Sequence, residues 1–278
     1  MKKKTIMIFA SITLLLVLAI AACWQGVVLR KYTVETDKIS NPIRVVQLSD
    51  LHSSFYGRQQ QRLIQKIERI KPDVIVLTGD IADDVVEHDG TKVLLSQIAT
   101  EYPCFYVSGN HETWCGNPEE VYEMIASYGV TVLRGDGVTI NIGESRLGIY
   151  GVDDPDSFGG YHDGAVDAWK AQLSSCEEQT DVDMFNLLLS HRPELVDEYA
   201  DSAFDLVLSG HAHGGHVRLP FINGLWAPNQ GWFPQYTGGQ YTLNDDTTLI
   251  VSRGLAKSRI PRVFNPPELV VVDLVSNA

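Results

Sequence analysis

Cysteine is scarce in this chain, four residues among 278, and no two of them form a CxxC pair. That argues against a structural zinc site built on thiolates. Basic charge is short as well: Lys and Arg number 22 against 35 Asp and Glu, a formal net charge of −13. This balance works against non-specific binding to nucleic acid, and no basic patch with interleaved aromatics offsets it. There is no internal repeat, and no Pro/Ser-rich linker or low-complexity run after residue 42. The length is therefore read as one large domain with a short appendage. A twin-arginine pair is also missing, which excludes that export signal.

What is present begins with an uncharged run, Thr5 to Leu29, behind Lys2, Lys3 and Lys4. As a helix it spans about 37 Å at ~1.5 Å per residue, enough to cross a bilayer. The leading lysines favour a cytoplasmic N-terminus and an extracytoplasmic body, while Arg30 and Lys31 on the far side pull the other way. Residues 1–30 are expected to be a membrane anchor or signal segment, 31–41 a tether and 42–278 the working domain. Within the first segment "IAAC", Ile20 to Cys23, resembles a lipobox whose cysteine is lipidated. Trp24 and the following "GVVL" are more apolar than the tether usual after such a cysteine, which favours an uncleaved anchor; a cleaved signal peptide is the third reading. All three put the body outside the cytoplasm, and an uncleaved or lipid anchor holds it at the cell membrane. Beyond Cys23 stand Cys104, Cys115 and Cys176, an odd number that allows at most one disulfide.

From Pro42 onward, short apolar runs alternate with helical patterns. "GRQQQRLIQKIERIKP" places Leu63, Ile64, Ile67 and Ile70 at helical spacing, with Pro72 as a stop. Strands apolar on both faces and separated by helices predict an α/β fold with helices covering the sheets. Near the end "QYTLNDDTTLIVSR" reads as a hairpin turning at "NDD", which a purely parallel sheet does not need. The expectation is two mixed β-sheets packed face to face with helices outside, a four-layer αββα sandwich.

Five apolar runs stop at polar residues: Asp50-x-His52, Gly79-Asp80, Gly109-Asn110-His111, Ser190-His191 and Gly210-His211-x-His213. Ligands bind beyond the carboxyl ends of strands in open α/β sheets, so these ends are expected at one edge. Each alone has an ordinary structural reading, since Asp-x-His at a strand end is commonly a turn or cap. The coincidence is harder to explain that way: five of eight histidines lie at such ends, four of them within two residues of Asp, Asn, Gly or a second His. Carboxylate, amide and imidazole together suit Mn, Fe, Zn or Co and are too rich in imidazole for Mg or Ca. Seven candidate ligands exceed what one ion takes, so two divalent ions sharing a carboxylate fit. His88, His162 and His216 are read as surface or supporting residues.

In order, "DLH", "GDIAD", "GNHE", "SH" and "GHAH" resemble the motifs of the calcineurin-like metallophosphoesterases. "GHAHGGHVRLP", "VSRGL" and "PPELVVVDL" resemble its membrane-associated branch of YkuE- and YaeI-type phosphodiesterases, extending the likeness over residues 42–275. Relatives commonly have Gln at the position of His216. The resemblance implies that Asp50, His52 and His213 hold one metal and Asn110, His191 and His211 the other, with Asp80 bridging. It places His111 near the scissile phosphate with Asp83 orienting its ring. Two cations about 3.5–4 Å apart bind phosphoryl oxygens and lower the pKa of a shared water, so that hydroxide is the nucleophile and no Ser or Cys is needed. A carboxylate-held histidine can protonate the leaving oxygen. The expected substrate is a lipid-, nucleotide-sugar- or wall-linked phosphodiester; a phosphomonoester of the same chemistry, or a surface metal-binding module without turnover, are the alternatives. Arg192, Arg253 and Arg262 are candidates for a second phosphate or headgroup. Leu219 to Tyr236, rich in aromatics and Pro, either packs over the sheet or forms an apolar lip against lipid.

Overall fold

The computed structural model describes residues 2–160, 164–219, 221–244, 247–257 and 262–277. Short runs rich in Val, Ile and Leu form the centre of each of two six-stranded sheets. In the first the order is β1 (Val28–Thr36), β16 (Glu268–Ser276), β2 (Ile43–Leu48), β3 (Val74–Thr78), β4 (Cys104–Val107) and β5 (Thr131–Val132). The second runs β14 (Gly239–Thr242), β15 (Thr248–Val251), β9 (Leu206–Ser209), β8 (Phe185–Leu189), β7 (Ser145–Gly151) and β6 (Asp136–Ile142). Both are mixed. Strand β16 is antiparallel to β2, and β14–β15 and β6–β7 are antiparallel pairs at the two edges.

Alternation along β3 shows how the layers form. Val74 and Val76 face the second sheet and share a core with Phe105, Val107, Leu187, Leu189, Leu206 and Leu208. Ile75 and Leu77 point the other way, against Leu63, Ile67, Leu94, Leu95 and Ile125. Period two buries both faces because both faces are covered. Helices α2 (Gln61–Ile70), α3 (Asp89–Ile98) and α5 (Pro118–Ala126) cover the first sheet, and α6 (Ala165–Glu177) and α7 (Val196–Ala200) the second, where Trp169, Leu173 and Tyr199 meet Leu188 and Val207. The four-layer sandwich of two mixed sheets with flanking helices is present. A short α4 (Asn110–Trp114) leaves the end of β4.

Helix α2 buries Leu63, Ile67 and Ile70, with Ile64 packed at the margin, and ends at Lys71 in a left-handed conformation one residue before Pro72. The β14–β15 hairpin forms; Asp245 and Asp246 of its turn lie outside the described residues. One boundary needs correction. Residues 31–41 are not a free tether, because Lys31 to Thr36 continue β1, which pairs in parallel with β16 along its full nine residues. Its mostly exposed side chains are those of an edge strand, which explains why a charged, amphipathic stretch looks like a linker.

Ahead of β1 stands α1 (Lys2–Ala22), whose span Lys3–Ala22 is long and apolar enough to cross a membrane and is almost wholly unburied. Residues 218–232 form two small hairpins outside both sheets, β10 (Arg218–Leu219) with β11 (Ile222–Gly224) and β12 (Trp226–Ala227) with β13 (Gly231–Trp232).

Candidate metal centre

The carboxyl ends of β2, β3, β4, β8 and β9 meet at one edge and deliver Asp50, Asp80, Asn110, His191 and His211 within a few residues of the last strand hydrogen bond. The loops are tied to one another by their backbones: Asp50 N–H donates to Gly79 O (3.0 Å), His52 N–H to Asp80 O (2.9 Å) and Gly210 N–H to His191 O (3.1 Å). Asp50, His52, Asp80, His211 and His213 all have φ between 46° and 65°. A left-handed conformation costs a residue with a side chain of order 1 kcal/mol or more, so five such residues at one edge mark strain held by the surrounding fold. Neighbouring glycines clear the room: a Cβ at Gly210 would collide with Ser49 and the Asp50 carboxylate, and one at Gly109 with Asp80.

Two sets of side chains converge. Asp50, His52, Asp80 and His213 bring ligand atoms within 4.8 Å of one another, as do Asp80, His191 and His211, and Asp80 belongs to both. Asn110 is buried at the start of α4, with Oδ1 unpartnered. The fit to metal rests on which atoms lack partners. Asp50 Oδ2, His52 Nε2, Asn110 Oδ1 and His211 Nδ1 are buried with no hydrogen bond, and Asp80 Oδ2 and His191 Nε2 face each other at 3.1 Å. An unsatisfied buried polar atom costs about 1–3 kcal/mol, and a bound cation would satisfy atoms gathered in this way. The opposite ring nitrogens are satisfied. His52 Nδ1–H donates to Asp83 Oδ2 (3.0 Å), His191 Nδ1–H to Thr78 O (2.8 Å) and His211 Nε2–H to Asn229 Oδ1 (3.0 Å). This is the arrangement that fixes a ligating imidazole in the correct tautomer. Burial, with Arg192 and His191 beside His211 and with His52, Arg262 and His216 beside His213, holds both imidazoles well below their usual range, hence neutral and able to ligate. Burial alone would raise Asp80, but His191, 3.1 Å away, and His52 outweigh it and keep the carboxylate ionised.

His111 lies against this centre, its ring 4.4 Å from that of His52. Its orienting carboxylate is Asp84, whose Oδ1 accepts from Nδ1 at 2.6 Å; Asp83 is 3.9 Å away and serves His52 instead. The expected His111–Asp83 pairing is thus corrected by one residue. Asp83 caps the turn, accepting from the N–H groups of Val85 and Val86; these bonds and His52 overcome burial and hold its carboxyl at about 2.

The arginines are corrected as well. Arg192 is buried, gripping Asp154 through Nε (2.6 Å) and Nη2 (2.8 Å) and donating to Asn229 Oδ1 (2.8 Å). Arg262 is buried and donates to the carbonyls of Gly254, Ala256 and His213. Arg253 lies 3.5 Å from Glu268. All three brace loops and none projects to meet a headgroup. Cys104, Cys115 and Cys176 are free thiols. His88 is half-buried and bonds Asp83 O, His216 stacks between His213 and Trp226, and His162 lies outside the described residues.

Sequence reasoning missed three supports. Glu112 of "GNHE" accepts four backbone N–H groups, from Asp80, Ile81, Ala82 and Gly109, at 2.7–2.9 Å, and so locks two ligand loops together. Asn229 accepts from His211 Nε2–H and is itself held by Arg192, which Asp154 grips. Glu112 stood inside a quoted motif; Asp154 and Asn229 carry no pattern that a single sequence reveals.

A cleft of about 560 Å³ opens over His52, His111, His213 and His216 and is walled by Phe55, Val85, Val86 and Lys257. A two-sheet α/β sandwich with overlapping Asp/His clusters at the strand ends defines a metallophosphoesterase, a hydrolase of phosphoric esters. The chain belongs to the calcineurin-like phosphoesterase family, whose pattern matches residues 43–215. It is 31% identical to a metallophosphoesterase of Aquifex aeolicus over 88% of this chain and 90% of that one. It is 32% identical to metallophosphoesterase YkuE of Bacillus subtilis over 84% and 79% of the two chains, and 26% identical to phosphodiesterase YaeI of Escherichia coli over 84% and 83%.

Proposed function

We propose that the protein is a membrane-anchored, dinuclear phosphodiesterase whose catalytic domain lies outside the cytoplasm and acts on a lipid-, nucleotide-sugar- or wall-linked phosphodiester. The observation that carries the dinuclear part is the pair of overlapping ligand clusters with Asp80 common to both, beside four buried ligand atoms that have no hydrogen bond. Asp50, His52 and His213 would hold one ion, Asn110, His191 and His211 the other, and Asp80 would bridge. Bound there, divalent Mn, Zn, Fe or Co supplies charge to the phosphoryl oxygens and lowers the pKa of water. The protein does the rest. Asp84 accepts from His111 Nδ1–H and orients the ring, so that the imidazolium would give its Nε2 proton to the departing oxygen and be left as the Nδ1–H tautomer. Asp83 and Thr78 keep the His52 and His191 rings from turning. A bare metal store needs neither His111 nor Asp84, which favours turnover over a binding module.

Two features support a diester with an apolar arm. The relative YaeI is a phosphodiesterase by name. The cleft wall bears Phe55, Val85 and Val86, which are 41%, 78% and 49% exposed, a surface suited to a lipid or prenyl chain beside the reacting phosphate. The anchor reading rests on α1, and Lys2, Lys3 and Lys4 at its start favour a cytoplasmic N-terminus. On this reading residues 2–27 are the anchor and its exit, and the catalytic domain begins with β1 at Val28.

The full chain, stripped with chelator and reloaded with Mn, Zn, Co or Mg in turn, is expected to cleave bis-p-nitrophenyl phosphate faster than p-nitrophenyl phosphate. His111→Ala is expected to lower that rate by about 10²–10⁴ with metal content unchanged. A loaded protein that turns over neither ester, or an undiminished His111→Ala variant, contradicts the proposal.

A further inference from the structure

From Leu219 to Asn244 the chain has no Asp, Glu, Lys or Arg, although 21% of its residues are charged. This segment builds the β10–β11 and β12–β13 hairpins, which join neither sheet. It turns large apolar side chains to solvent: Phe221 is fully exposed, Trp232 and Phe233 are 69% and 68% exposed, and Leu219, Ile222 and Trp226 are about two-fifths exposed. Soluble surfaces carry isolated apolar residues, whereas six in one charge-free stretch form a patch with a purpose. Phe264, 45% exposed, extends the patch, lining a shallow hollow with Arg218, Leu219, Phe221 and Ile222.

The patch is joined to the end of the apolar helix. Phe264 N–H donates to the carbonyl of Ala22, the last residue of α1, at 2.7 Å. Wherever α1 leaves a bilayer, Phe264 and the hairpins stand beside that point. Protein partners are usually met with a polar, partly charged rim around an apolar centre, and this segment offers no charge for one. The net charge of −13 gives no electrostatic pull toward an anionic surface, so contact must come from apolar and indole side chains. Trp and Phe at this depth are the residues that settle at the headgroup boundary.

We propose that the two hairpins and Phe264 form a second membrane contact, which docks the catalytic domain against the lipid bilayer that α1 enters. The inference rests on the reading of α1 as an anchor. Docking also sets the reach of the active site. Trp226 stacks on His216 (5.8 Å) and His216 on His213 (5.6 Å), so the docked face lies two rings from a metal ligand and the cleft opens near lipid headgroups. A phosphodiester still embedded in the bilayer then reaches the centre without being extracted.

The test uses the full chain in phosphatidylcholine vesicles, with Cys23→Ser to remove the exposed thiol. An environment-sensitive fluorophore is attached through Phe221→Cys, or through Val182→Cys as a control on a turn that is 79% exposed. Lipids brominated near the headgroup are expected to quench the probe at 221 by about half, consistent with shallow insertion of ~5–10 Å, and to leave the probe at 182 unchanged. Hydrolysis of the soluble diester is expected to be the same in both variants. Vesicle flotation reads the anchor separately. A chain that floats with the probe at 221 unquenched overturns the docking alone; one that does not float overturns the anchor and the docking with it.

Discussion

Adjacent aspartates divide two tasks at the site. Asp83 holds His52, a candidate metal ligand, and Asp84 holds His111, the candidate acid, so their amide variants should fail differently. Asp83→Asn is expected to weaken metal binding about 10–100-fold through a loosened His52, measured by titration of the stripped protein. Asp84→Asn should keep its metal and lose kcat, measured at saturating metal. Glu112 makes a third case. Glu112→Gln turns an amide NH₂ toward backbone N–H donors, at a cost of about 2–3 kcal/mol, and should lower Tm by about 5–10 °C. Burial pushes the Cys104 and Cys176 thiols up to about 12, so at pH 8 almost no thiolate exists at either. Iodoacetamide should therefore label exposed Cys23 while the native fold protects these two, and alkylation of Cys104 or Cys176 at pH 8 would contradict their burial. At this scale the side chains that converge at the strand ends were legible because each follows an apolar run and is of ligand type. The choice between Asp83 and Asp84 was not, since a turn of φ and ψ between neighbours decides which carboxylate meets which ring.

Strands and helices whose periodicity reports two covered faces were readable in advance: β3, β8 and β9 as continuous apolar runs, α2 from Leu63, Ile67 and Ile70. The edge strand β1 was not. Only Val34 among its apolar residues is buried, and Arg30, Lys31 and Glu35 give it the texture of a linker. Its register on β16 nevertheless closes the first sheet. A chain beginning at Trp24 should keep the stability of the domain, whereas one beginning at Ile39 loses nine paired residues and leaves β16 as an open edge. We expect the shorter chain to aggregate or to melt at least about 10 °C lower, as followed by circular dichroism during heating. Equal melting of the two would show that β1 adds nothing to the fold.

Across the whole molecule, stacking two mixed sheets with their strand ends at a common edge is what turns five separated polar tails into one site. Residues 161 positions apart meet where His211 N–H donates to Asp50 Oδ1. The class of fold and the candidate ligand set follow from pattern, because strand ends and ligand types are local. The braces Asp154, Arg192 and Asn229 and the exposed hairpins depend on contacts between distant segments, which local pattern does not encode. The central claim, two cations sharing Asp80, is tested most directly by counting ions. Metal-stripped protein reloaded with Mn or Zn, freed of excess and analysed by plasma mass spectrometry together with anomalous diffraction, should hold two ions per chain about 3.5–4 Å apart. Asp80→Asn should lose the pair. A single ion per chain, or two in a chain whose Asp80 touches neither, would contradict the account.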